Sequence, residues 1–135
     1  MMFRNKKEND VHQGKWNGIG GKCFVGESPD SCVNREFQEE TGLTLVTPKM
    51  RATLTFPGFR KEEDWVVFLY TATQFIGTLI DDCNEGDLKW VPSDEVIGLP
   101  MWEGDAHFLK KLETEPYFTG TIIYQNKKLV SVAFN

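Results

Sequence analysis

The segment from Gly21 to Leu43, GKCFVGESPDSCVNREFQEETGL, constrains this chain more than any other, because it gathers Glu27, Asp30, Glu36, Glu39 and Glu40 around a single arginine, Arg35. Its local signals predict a helix from about Pro29 to Thr41. Ser28 is a good N-cap, Pro29 suits the first turn, Asp30 favours the positive end of the helix dipole, and Gly42 can end it. On that helix Glu36, Glu39 and Glu40 stand at i, i+3 and i+4, so their carboxylates share one face while Val33 and Phe37 point to another. Like charges on one face repel, and Arg35 can brace only part of them.

One explanation is a solvated acidic face, the ordinary reading of a charge run. Such a face normally intersperses lysines at i+4 positions, and this helix contains none. A divalent cation answers the repulsion better. Ligands that are all oxygen belong to Mg2+ or Mn2+, ions that commonly bridge carboxylates to phosphates.

The rest of the chain bounds the possibilities. Its 135 residues, 40% hydrophobic, suffice for one globular domain over 1–135, burying about 65–70% of the unfolded surface. A net charge of -5 argues against a protein that grips polymeric nucleic acid by its phosphates, and leaves small metal-bound nucleotides open. Cys23, Cys32 and Cys83 are odd in number and form no CxxC pair, so they read as reduced thiols of a cytoplasmic protein. The N-terminal MMFRNKKEND turns charged too early for a signal peptide, and the apolar run WVVFLY is too short to span a bilayer, so no membrane is expected.

The expected fold class is α+β. Strands are expected at Met50 to Phe56 and Asp64 to Phe75, with PGFRKEE as the turn between them. Further strands are expected at Leu88 to Val91, Thr119 to Gln125 and Lys128 to Phe134, the last two joined at Asn126 and Lys127. A second helix should follow MWEGD and run through AHFLKKLETE, with Phe108, Leu109 and Leu112 as its apolar side and Pro116 as its stop.

On these residues the chain resembles the Nudix hydrolases. Gly21, Glu27, Arg35, Glu36, Phe37, Glu39, Glu40, Gly42 and Leu43 fall in register with the Nudix box, G-x5-E-x7-R-E-U-x-E-E-x-G-U, where U is a bulky apolar residue and Phe37 is the loosest fit. The resemblance implies a mixed β-sheet sandwiched between helices, and hydrolysis of a nucleoside diphosphate linked to another group. It implies that Glu36, Glu39 and Glu40 ligate Mg2+, or Mn2+, with the backbone carbonyl of Gly20, and that Arg35 and Glu27 hold loop and helix together. Glu85, in CNEGDLKW, sits where similar enzymes bring another acid to the metal; an exposed loop acid is the alternative.

KWNGIGGK (Lys15 to Lys22) and PMWEGD (Pro100 to Asp105) resemble the MutT-type branch, the 8-oxo-dGTP diphosphatases that sanitise the nucleotide pool. That resemblance implies base contacts from Asn17 and Asp105, and Trp102 stacked on the purine. Trp16 and Trp102 also suit an aromatic core, and Asp105 a helix cap. The human-type enzymes carry two adjacent aspartates after Met-Trp-Pro, whereas here Gly104 and Asp105 follow Glu103. Similar enzymes also place a strand ahead of NKKEND. Here either that strand is lacking or the true start lies upstream of Met1, and Lys6, just beyond it, is placed to approach phosphates or base.

The expected activity is therefore metal-dependent hydrolysis of an oxidised purine nucleoside triphosphate by a monomer or homodimer. The alternatives are a Nudix hydrolase of another nucleotide, an unmodified dNTP or a dinucleotide, and a non-catalytic Nudix-like regulator, which typically loses metal acids that this chain keeps.

Overall fold

A computed structural model describes residues 1–135. The chain divides into two compact units, one built from Met1–Pro48 and Ala72–Met101, the other from Lys49–Thr71 and Trp102–Asn135. Helices and mixed strand pairings occur together, as the α+β expectation requires. No helix is long and apolar enough to cross a membrane.

In the first unit, β1 (Met2–Phe3) lies between β2 (Trp16–Asn17) and β7 (Asp87–Leu88), antiparallel to both. Residues expected only to end a strand thus form the centre of a small sheet, with Met2 1% exposed. Gly86 admits this packing, since a Cβ there would run into the Phe3 carbonyl. The expected strand at Leu88 to Val91 is reduced to β7, because only Asp87 and Leu88 find partners on β1.

Helix α1 spans Pro29–Thr41, as its local signals predict. Ser28 Oγ accepts the Ser31 N–H at 3.1 Å, and Gly42 closes the helix at φ 77°, donating its N–H to the Gln38 carbonyl at 2.8 Å. A side chain at Gly42 would be strained by that φ and would meet Thr78 O at 2.8 Å. The exit leads into β3 (Leu43–Val46), which pairs antiparallel with β6 (Gln74–Gly77).

The second unit is a mixed sheet in the order β5-β4-β8-β9: β4 (Lys49–Arg60), β5 (Glu63–Thr71), β8 (Phe118–Gln125) and β9 (Lys128–Phe134). Alternation sets its buried face, with Ala52, Leu54 and Phe56 on β4 and Phe118, Gly120, Ile122 and Tyr124 on β8. Leu54 and Ile122 are completely buried, each contributing about 1.5–3 kcal/mol by leaving water. Asn126 and Lys127, at φ 51° and 65°, make the expected tight turn between β8 and β9.

The turn between β4 and β5 is tighter than PGFRKEE suggested. Strand pairing resumes at Arg60–Glu63 after an irregularity, and only Lys61 and Glu62 turn, at φ 52° and 62°. The long strand expected to Phe75 stops at Thr71, and the segment Gln74–Gly77 pairs with β3 instead. A short helix α2 (Ser93–Val96) was not expected.

Helix α3 runs Glu103–Thr114, starting inside MWEGD rather than after it. Glu103 and Asp105 lie in its first turn, where negative charge suits the dipole. At its other end Arg51 donates to the carbonyls of Leu112, Glu115 and Pro116 at 2.7–2.8 Å, satisfying acceptors that a helix end leaves open.

Candidate active site

The site grows from the loop before α1. Gly26, at φ 82°, lets the chain turn back so that the Glu27 carboxylate accepts the Phe24 N–H at 3.0 Å and meets Arg35. Arg35 grips Glu27 with both arms of its guanidinium, Nε at 2.7 Å and Nη2 at 2.8 Å, a paired geometry that lysine cannot reproduce. Nη1 reaches Glu36 at 2.9 Å and Glu39 at 3.1 Å, and Nη2 also holds the Lys22 carbonyl at 3.1 Å. The exposed ring of Phe24 covers the guanidinium at 3.8 Å. The Arg35 hydrogen bonds, and then that from the Phe24 N–H, bring the Glu27 carboxyl down to about 2. Glu27 in turn is the main reason the guanidinium holds its proton more firmly than usual.

Glu40 is the exception on this helix face. It is 8% exposed, and Arg35 does not reach it. Its Oε2 accepts the Gly20 N–H at 3.2 Å, and its carboxyl shares a hydrogen bond with Glu85. Burial first, then Glu85, then the nearby charge of Glu36, push its pKa up to about 8. Burial alone would raise Glu85 as well. The hydrogen bond from Glu40 and the charges of Lys7 and Arg4 outweigh it and hold Glu85 below the usual carboxylate range.

Glycine is needed beside Glu36. A Cβ on Gly21 would run into the carboxylate of Glu36. The loop therefore lies directly against the acids, as it must if backbone and carboxylates are to face one ion. Oxygen donors, crowded acids and no lysine or arginine on Glu40 fit a hard divalent cation.

The structure thus brings Gly20, Glu36, Glu40 and Glu85 together, with Glu27 and Arg35 as the brace and Glu39, mostly exposed, tied to Arg35. Lys6 is engaged elsewhere: its Nζ donates to the Cys83 carbonyl at 2.8 Å and stands 3.8–3.9 Å from Asp82 and Asp87. The lysine on the acid pair is instead Lys7, 3.1 Å from Glu85, with Arg4 at 3.9 Å. Neither was singled out in the sequence, where the only signal was a basic run, Arg4 to Lys7, in an acidic chain.

Asn17, on β2, pairs with Met2 of β1 and is half-buried, and the Trp16 N–H donates to the Pro100 carbonyl at 2.7 Å. In the second unit Trp102 is 6% exposed, met edge-on by Phe59 and Tyr124 at 5.3 and 5.2 Å. Asp105 is half-buried in the first turn of α3, whose start has no side-chain cap. The Gly104 N–H donates to Tyr124 Oη at 2.7 Å.

A family model described as the NUDIX domain matches residues 1–112. The chain is 32% identical over 116 residues to the uncharacterized Nudix hydrolase YvcI of Bacillus subtilis, covering 83% of this chain and 73% of that one. It is 27% identical over 124 residues to the oxidized purine nucleoside triphosphate hydrolase of Danio rerio, covering 92% and 79%. The crystal structure of a mutator MutT protein from Bacillus halodurans is similar with a TM-score of 0.84 at 32% identity, over 96% of this chain and 86% of that one.

Proposed function

The chain belongs to the Nudix hydrolase family, and on that premise we propose that it hydrolyses oxidised purine nucleoside triphosphates, 8-oxo-dGTP foremost, to the monophosphate and pyrophosphate. The observation that carries the reading is the buried Glu40 carboxyl hydrogen-bonded to Glu85, a repulsive pair whose charge a cation would balance. The name borne by the Danio rerio relative, oxidized purine nucleoside triphosphate hydrolase, supports the substrate class.

Glu36, Glu39, Glu40, Glu85 and the Gly20 carbonyl would hold Mg2+, or Mn2+ in its place. Bound there, the ion supplies charge neutralisation at the phosphates and a more acidic water. Arg35 and Glu27 keep the loop against the helix, and so keep Gly20 beside Glu40. Without the ion, Glu40 is the acid of this set that most readily keeps its proton. Lys7 and Arg4 keep Glu85 ionised beside it. Lys6 reaches phosphate only by releasing the Cys83 carbonyl.

Asn17 and Asp105 are assigned to the base edge and Trp102 to its face. The alternative substrate is an unmodified dNTP or a dinucleotide; Trp102, 6% exposed, must be uncovered before its ring can stack on any of these bases. The reading places the protein in the cytoplasm, as monomer or homodimer, with a free nucleotide rather than a polymer as its partner. Nucleoside monophosphate formation from 8-oxo-dGTP, dGTP, the other dNTPs, ADP-ribose and NADH with Mg2+, read by chromatography of the products, tests it. A clear preference for 8-oxo-dGTP is expected; equal or better turnover of an unmodified nucleotide would select the alternative.

A further inference from the structure

Beside the brace lies a trio of a different chemistry. Sγ of Cys23, a carboxylate oxygen of Glu27 and Sγ of Cys32 lie within 4.8 Å of one another. Cys23 is exposed on the loop, Cys32 is buried in the first turns of α1, and Glu27 stands between them in sequence, in the pattern C-x3-E-x4-C. Both cysteines are free thiols. The Cys32 thiol is hydrogen-bonded to Glu27 and lies 4.0 Å from the Gly21 carbonyl.

Ligands of one tetrahedral zinc, at about 2.0–2.3 Å from the metal, stand roughly 3.4–3.8 Å apart. The trio would therefore close by roughly 1.4 Å at most, most simply through Cys23 on its exposed loop. Two sulfurs reject Mg2+ and select a thiophilic ion, and three protein ligands leave one position to water.

We propose that Cys23, Glu27 and Cys32 form a second cation site, specific for a soft divalent ion of the Zn2+ class. It is distinct from the oxygen site at Glu40. Its occupancy has a consequence, because Glu27 is also the carboxylate that Arg35 grips at 2.7 and 2.8 Å. An ion on Glu27 competes with the guanidinium, and the same guanidinium holds Glu36 and Glu39. Soft cations are thus inhibitors that act from outside the carboxylate site. This inhibitory half rests on the hydrolase reading; the binding half does not.

The test uses the full chain, kept reduced, in saturating Mg2+ so that oxygen sites are filled. Co2+ is titrated as the spectroscopic probe. A thiolate-to-cobalt absorption band saturating at one equivalent is expected, together with protection of Cys23 from alkylation by one equivalent of Zn2+. The cobalt band should be lost in Cys23→Ser, an exposed position outside the catalytic brace. A missing band, or one unchanged in Cys23→Ser, would overturn the site whether or not the protein hydrolyses any nucleotide. In the active enzyme, Zn2+ should inhibit despite excess Mg2+, and Cys23→Ser should need about tenfold more Zn2+ or higher, since losing a ligand costs no less than losing a ligand's supporting partner. Equal Zn2+ inhibition of wild type and Cys23→Ser would overturn the coupling through Glu27.

Discussion

Glu40 and Glu85 share a hydrogen bond across the first unit, one acid from the C-terminal turn of α1 and the other from the loop before β7. Glu40 carries the strain of the pair, and Lys7 and Arg4 relieve only Glu85. That asymmetry makes the site's behaviour measurable without any substrate.

The metal-free protein should lose stability as pH rises. The Glu40 carboxyl sits near 4.5 when unperturbed and is pushed up to about 8 in the fold. Below the lower value both states are protonated and the full stability is present; between the two the unfolded chain ionises first, and the loss is complete above about 8. Glu85, shifted downward, titrates at lower pH and works in the opposite sense. Thermal melts from pH 5 to 9 with chelator should show a falling Tm, and excess Mg2+ should flatten the slope.

Glu40→Gln and Glu39→Gln should each cost turnover heavily, on the order of a hundredfold or more, if both acids hold the ion. Their stabilities should diverge. Removing the buried charge should raise the metal-free Tm in Glu40→Gln at pH 8, whereas Glu39, exposed and paired with Arg35, should give no gain. Wild-type turnover of either variant in saturating Mg2+ would remove that residue from the ligand set.

Hydrolysis in 18O-labelled water should place the label in pyrophosphate, as attack at the β-phosphorus requires. Mass spectrometry of the products decides it, and label in the monophosphate would mean attack at the α-phosphorus.

Asp105→Ala and Asn17→Ala should reduce kcat/KM more for 8-oxo-dGTP than for dGTP. The oxidised base offers an N7–H donor where guanine has an acceptor. Leaving one buried partner unpaired costs about 1–3 kcal/mol, roughly tenfold to a hundredfold in selectivity. Equal losses on the two nucleotides would mean that these residues position the substrate without reading its oxidation.

Restoring the second acid of the human-type pair should fail on steric grounds. A Cβ on Gly104 would sit 2.7 Å from Tyr124 Oη and 2.8 Å from Ile122 Cγ2. Gly104→Ala should therefore destabilise by about 1–3 kcal/mol, less about 1 kcal/mol returned by helix propensity, and Gly104→Asp by more. Urea unfolding checks it; a Gly104→Asp protein as stable as wild type with sharper 8-oxo-dGTP selectivity would show that the helix start can shift.

What the sequence determined by itself is what lies within one turn or one strand. Ser28, Pro29 and Gly42 delimit α1 through contacts to residues at most four away, and Asn126–Lys127 turns β8 into β9 for the same reason. The placing of Glu36, Glu39 and Glu40 on one helix face follows from helical period alone. Pairings between distant segments were decided only in three dimensions. Met2–Phe3 is a strand because Trp16–Asn17 and Asp87–Leu88 flank it, and the run expected to continue to Phe75 breaks because β3 offers Gln74–Gly77 a partner. Helical period could not tell Glu39 from Glu40. Burial and the approach of Gly20 and Glu85 did, since the cost of an ionised carboxylate depends on the water and charges around it, and distant parts of the chain supply both.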